Sequence, residues 1–124
     1  MFKFEKLAVW QKSVEFADVV YRLTARFPAE ERFGLTNQLR RASVSVASNI
    51  AEGSARQDGD FARFIGIASG SLYEVVTQAT IARQQDLITQ DQFGQIYASA
   101  EEIARMLTGL RDSLRDSRDH DSQL

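Results

Sequence analysis

Apolar residues recur along this chain at intervals of three and four, in blocks separated by short polar breaks, and that period belongs to helices rather than strands. The first block runs from about Leu7 to Arg26. Leu7, Trp10, Val14, Ala17, Tyr21 and Ala25 form its leading apolar strip, and Val9, Phe16, Val20, Leu23 and Phe27 form a second strip beside it. Phe27-Pro28 closes the block, because the residue before a proline is pushed out of the helical region. Ala29-Glu30-Glu31 reads as a short turn with acids at a positive helix end, and Gly34 as a kink before the next block.

The stretch Leu35 to Arg56, LTNQLRRASVSVASNIAEGSAR, organises the rest. As one helix it carries an apolar seam of Leu35, Leu39, Ala42, Val46 and Gly53, with Ile50 beside them. Val44, Ala47 and Ala51 make a second apolar strip, and Arg41, Ser45, Ser48 and Glu52 a polar one. Two apolar strips need two neighbours, so this helix is expected deep in a bundle or against another subunit. Its many small side chains let another backbone come close.

Gln57-Asp58-Gly59 is a short loop with Asp58 as the expected N-cap of a third helix, about Gly59 to Gln85. Phe61, Ile65, Ala68, Leu72, Val75, Val76 and Ala79 are its seam. Gly66 and Gly70 lie inside it at a cost of about 1 kcal/mol each relative to Ala, which suggests close helix approach. Asp86-Leu87 is a break. Thr89 and Gln92 then form a capping box for a fourth helix whose heptad reads Phe93, Ile96, Ala100, Ile103, Leu107, Leu110, Leu114. From Arg115 the apolar period stops, and a frayed or disordered tail is expected over 115–124. The fold class that follows is all-α: an antiparallel up-down four-helix bundle over residues 1–114, followed by the polar tail. The second strips on the first two helices exceed what one bundle uses, which predicts a homo-oligomer joined through those helices rather than the fourth.

Length and composition narrow the chemistry. A chain of 124 residues suits one domain. The absence of cysteine removes disulfides and thiolate sites, and the single histidine, His120, excludes a multi-histidine metal site within one chain. No catalytic set stands out, so the expectation is no enzymatic activity, no cofactor and no metal. No run approaches the roughly twenty apolar residues of a membrane span, and MFKFEKLAVWQKS lacks the pattern of a secretory signal. The expected location is cytoplasmic, with no membrane partner. The net charge of −2 is unevenly spread: residues 1–56 hold nine basic and six acidic side chains, residues 57–124 six and eleven. Twelve of the fifteen basic residues are arginine, whose planar fork suits phosphate, so the acidic total leaves room for a local basic surface; the alternative, favoured for most of these arginines, is a solvated and paired side chain.

FEKLAVWQKSVEF, YRLTARFPAEERFGLTNQLRRASVSVASNIAEGSAR and FIGIASGSLYEVVTQATIA closely resemble the four-helix-bundle proteins encoded in intervening sequences of bacterial 23S ribosomal RNA genes. The resemblance spans about Phe4 to Leu114, with QLRRA, NIAEG and GSLYE as its most specific motifs. The family is similar in turn to the accessory variability proteins of diversity-generating retroelements. The resemblance implies an up-down bundle, a ring-like homopentamer and a role in binding structured RNA or other nucleic acid, beside a nucleic-acid-processing protein in the retroelement case. It implies no established enzymatic activity. The motif residues it points to are Arg40 and Arg41, then Asn49, Glu52 and Gly53, then Gly70, Ser71 and Glu74.

Arg40 and Arg41 are consecutive and so point about 100° apart on a helix. Arg41 shares its strip with Ser45 and Ser48, a set suited to phosphate. Alternatively, either arginine pairs with a carboxylate such as Glu74 on the next helix. Asn49, Glu52 and Glu74 read as a hydrogen-bonded network that sets helix register, ahead of a metal or acid–base site, because carboxylate di-metal bundles also need histidines. Trp10, Tyr21, Phe61 and Phe93 fall on core seams, whereas Phe64 lies at the edge of its seam and suits an interface. Arg115-x4-His120 has the spacing of the Arg-x4–6-His pair in HEPN ribonucleases, but lies in a polar stretch without a seam. The function expected from these readings is a non-enzymatic homo-oligomer that binds structured RNA or a nucleoprotein partner, with phosphate contacts from Arg40, Arg41, Arg56 and Arg63. The alternative is a protein-interaction scaffold without nucleic-acid contact, and an Arg-x4-His ribonuclease stands third.

Overall fold

The computed structural model describes the backbone of residues 1–123 and the side chains of residues 1–115. Among these residues there are four α-helices and no strand: α1 (Ala8–Thr24), α2 (Leu35–Ser54), α3 (Asp58–Gln84) and α4 (Gln90–Gln123). Short 3-10 turns, Lys3–Lys6 and Ala29–Glu31, precede α1 and α2. Each helix packs on its neighbours in sequence and α4 closes against α1, an arrangement consistent with a helical bundle. The α4 backbone continues through the segment expected to be a polar tail. The side chains from residue 116 onward, His120 among them, lie outside the described residues, and so does the Arg115–His120 pairing.

One core runs the length of the molecule. Val46, Ile50, Ile65, Leu72, Val75 and Leu107 are all but sealed from solvent. The seams read for α2, α3 and α4 are the buried faces. The reading of α1 needs correction. Val9, Ser13, Phe16, Val20 and Thr24 face the core, whereas Val14 and Tyr21 of the strip ranked first are 42% exposed. Two hydroxyls hid the true face. Ser13 and Thr24 sit in the seam, but each donates to the carbonyl four residues back, Ser13 to Val9 at 2.7 Å and Thr24 to Val20 at 2.8 Å. A hydroxyl bonded in this way is buried at little cost.

The helix boundaries follow local chemistry. Gly34 is the last residue before α2, and the Leu35 N–H donates to the Glu31 carboxylate at 3.3 Å. Gln57, in extended conformation, precedes α3, so Asp58 lies in the first turn beside Asp60 rather than capping it. That placement still sets two acids at the positive end of the helix dipole. At the α3–α4 turn Asp86 takes φ of 59°, a left-handed conformation that Asp tolerates better than most residues. The Leu87 N–H then bonds the Ala82 carbonyl at 2.8 Å. The expected capping box is present: Thr89 N–H donates to Gln92 Oε1 at 2.8 Å and Gln92 N–H to Thr89 Oγ1 at 3.1 Å. At the N-terminus Phe2 stacks on Phe4, with centroids 5.7 Å apart, and Phe4 tilts onto Trp10 at 5.0 Å.

The end of α2 and the start of α3 approach each other closely. A Cβ on Gly53 would lie 2.6 Å from the Phe64 Cβ and 2.9 Å from Phe61 Cδ1. Gly66 and Gly70 have nothing within 4 Å of a Cβ position, so close packing does not account for them. Gly53→Ala is therefore expected to destabilise the protein by roughly 1–3 kcal/mol in urea unfolding. Gly66→Ala, on an exposed helix face, is expected to stabilise it by up to about 1 kcal/mol in the same measurement.

Candidate nucleic-acid interface

The four arginines singled out in the sequence do not form one patch. Arg56 and Arg63 belong to the junction of α2 and α3. Arg56 contacts Glu52 at 3.5 Å and Asp60 at 3.8 Å, and Arg63 contacts Asp60 at 3.3 Å. Their guanidinium carbons lie 5.2 and 4.6 Å from the ring centroid of Phe64. Phe64 itself is only 7% exposed, so the interface role read for it is corrected: it is a buried plate under two arginines. Exposed pairs of this kind stabilise by about 1 kcal/mol or less each, but they engage both guanidinium groups with carboxylates. Arg41 lies fifteen positions before Arg56, roughly 20 Å along the helix axis.

Arg40 has an internal task. Its Nε donates to Thr24 Oγ1 at 2.9 Å and its Nη2 to the Tyr21 carbonyl at 3.3 Å. Its guanidinium also stacks on the Tyr21 ring at 4.5 Å. Tyr21 lies in the last turn of α1, at the negative end of the helix dipole, and its carbonyl also accepts from the Ala25 N–H at 3.0 Å. Arg40 thus braces the C-terminal end of one helix from the flank of the next. Tyr21, read from sequence as a seam residue, is the partly exposed plate on which Arg40 rests.

Arg41 is different. It is exposed and, among the described residues, makes no ion pair or hydrogen bond. It lines an open groove of about 400 Å³ between α2 and α3, together with Asn37, Gln38, Ser45, Ser71, Glu74 and Gln78. Glu74 is exposed on the opposite wall and is not within ion-pair distance of either arginine. A second open hollow of about 580 Å³ shares Asn37, Arg41 and Ser45 and adds Tyr21, Arg40 and Val44. Arg41 thus borders both.

The floor of the groove is hydrogen-bonded. The Ser45 and Ser71 hydroxyls lie 2.8 Å apart and join α2 to α3. Asn49 Nδ2 donates to the Ser45 carbonyl at 2.8 Å and to Ser45 Oγ at 2.9 Å. The polar network that holds the helix register is therefore Asn49–Ser45–Ser71. Glu52 stands apart from it beside Arg56, and Glu74 stands above it in the groove. Sequence reasoning placed Asn49 in a network but missed its serine partners. Ser45 and Ser71, each flanked by apolar neighbours, were the available signal.

Residues 5–109 match the family described as 23S rRNA-intervening sequence protein. The chain belongs to this family. A similar solved structure is a crystal structure, at 1.70 Å resolution, of a protein of unknown function from the S23 ribosomal protein family of Bacteroides thetaiotaomicron VPI-5482. It is 26% identical, with a TM-score of 0.78, over 84% of this chain and 98% of that one. No curated protein matches the chain. Family membership carries the four-helix fold and assigns no activity. Among the described residues of this member, no group of three or more His, Cys, Asp or Glu side chains lies together, and no helix is long and apolar enough to cross a membrane.

The different tasks of the two adjacent arginines separate in stability. Arg40→Ala is expected to cost about 1–2 kcal/mol in urea unfolding, because it strips two charge-assisted hydrogen bonds from a partly buried helix end. Arg41→Ala is expected to change stability by less than about 0.5 kcal/mol. Equal effects would remove the assignment of Arg40 as a cap.

Proposed function

We propose that this member of the intervening-sequence family is a non-enzymatic homo-oligomer that binds structured RNA through the surface around Arg41. The observation that carries the reading is that Arg41, alone of the four arginines considered, is exposed and without a partner among the described residues. It stands amid amides and hydroxyls able to contact phosphate and sugar. Arg40 contributes the stacked guanidinium beside it, while Arg56 and Arg63 are held by Asp60. A monomer with net charge −2 is a poor ligand for RNA. Repetition of Arg41 around a symmetry axis concentrates positive charge without changing that total.

The up-down topology belongs to this proposal. Contacts between α2 and α3 step down one helix as they step up the other, Gly53 with Phe61 and Phe64 and then Ser45 with Ser71, which supports it. The homo-oligomer rests on apolar side chains left outside the core of α1 and α2, with Val14, Tyr21 and Val44 each 42% exposed. The ring of five is what the family resemblance implies, and a nucleic-acid-processing protein is a natural partner for it.

Two measurements test the reading. Light scattering behind size-exclusion chromatography is expected to give five times the 14.0 kDa chain mass, and Val44→Asp is expected to release smaller species; a monomeric wild type would refute the assembly. In RNA-binding titrations, Arg41→Ala is expected to weaken binding and to flatten its salt dependence. Capture of a protein partner without salt dependence, and without RNA, would favour the scaffold.

A further inference from the structure

The groove beside Arg41 contains more than a phosphate site requires. A carboxylate opposite the arginine opposes phosphate, because Glu74 would repel the same anion that Arg41 attracts. The two side chains fit one ligand only if it offers hydrogen-bond donors on one edge and acceptors on the other. The α3 wall supplies acceptors. Glu74 is exposed and unpaired among the described residues, and one turn further along Gln78 lines the same groove with its Oε1 buried and without a donor. The α2 wall supplies the Arg41 guanidinium. The floor beneath is fixed by the Asn49–Ser45–Ser71 bonds, so the walls are held at a set separation.

We propose that this groove is a subsite for a single unstacked guanine. The Glu74 carboxylate accepts from the N1–H and N2–H of the base, and Arg41 donates to its O6 and N7 side, the pairing that arginine makes with guanine elsewhere. Guanine presents two adjacent donors beside acceptors, as the two walls require; adenine and cytosine each lack one of the two donors that a carboxylate takes together. The groove volume of about 400 Å³ falls in the range of small-ligand sites. Unpaired bases read on their hydrogen-bonding edges are the usual route to sequence-selective RNA recognition. The inference deepens the reading of the Arg41 face as an RNA surface and rests on it.

The test uses the full chain with guanosine, inosine and adenosine monophosphates as probes, followed by amide chemical shifts. GMP is expected to shift the amides of Ser45, Ser71 and Gln78. IMP, which lacks only the N2 amino group, is expected to bind roughly ten-fold or more weakly, and AMP no better than IMP. Glu74→Gln, an exposed change compatible with folding, is expected to abolish the preference for GMP over IMP. Equal binding of GMP and IMP, or no shift with GMP into the millimolar range, would overturn the subsite. A single-stranded RNA with one guanine and its guanine-free counterpart separate this from the broader reading. If both RNAs bind wild type and Glu74→Gln alike, the subsite falls and the RNA surface stands. If GMP binds in a Glu74-dependent way and neither RNA binds, the subsite stands and the RNA surface falls.

Discussion

At Gly53 the end of α2 comes so close to α3 that a Cβ would meet the Phe64 Cβ at 2.6 Å. Close packing has no softer alternative here, because the opposing atoms are the root of one aromatic side chain and the ring of another, both buried. Once this end is closed, the pairing of the two helices is fixed along its length. Ser45 comes to Ser71, and Arg41 and Glu74 come to opposite lips of one groove. The same closure presses Phe64 into the junction, where its ring supports Arg56 and Arg63. A missing side chain at one position thus brings Phe64 under Arg56 and Arg63.

Polar residues hold the assembly at places where apolar packing alone would leave register open. Ser13 and Thr24 sit in the core seam of α1 with their hydroxyls turned back to their own helix. Asn49, Ser45 and Ser71 link α2 to α3. Arg40 completes the last turn of α1 through Thr24 and the Tyr21 carbonyl. All of these groups are bonded within the protein and hold its helices in place. Arg41 and Glu74, without an ion pair among the described residues, line the groove between α2 and α3, and so does Gln78, whose Oε1 has no donor. A functional reading of this family member starts from these residues rather than from its total charge.

The sequence by itself determined the helices, their breaks and most of their buried faces, because a 3.6-residue period, a proline, a capping box and a seam are local signals. The fourth helix and its Thr89–Gln92 cap could be read residue by residue. It also determined family membership, through motifs spread over nearly the whole chain. Tertiary structure decided the rest, since it turns on what lies across a helix pair. The core face of α1 was concealed by two hydroxyls whose burial depends on bonds to their own carbonyls. Phe64 looked peripheral until Gly53 brought it inside. Two neighbouring arginines, alike in sequence, were separated by the single turn of α1 that comes within reach of Arg40 and leaves Arg41 in the open, because the 100° between consecutive helical positions sends them to different surroundings.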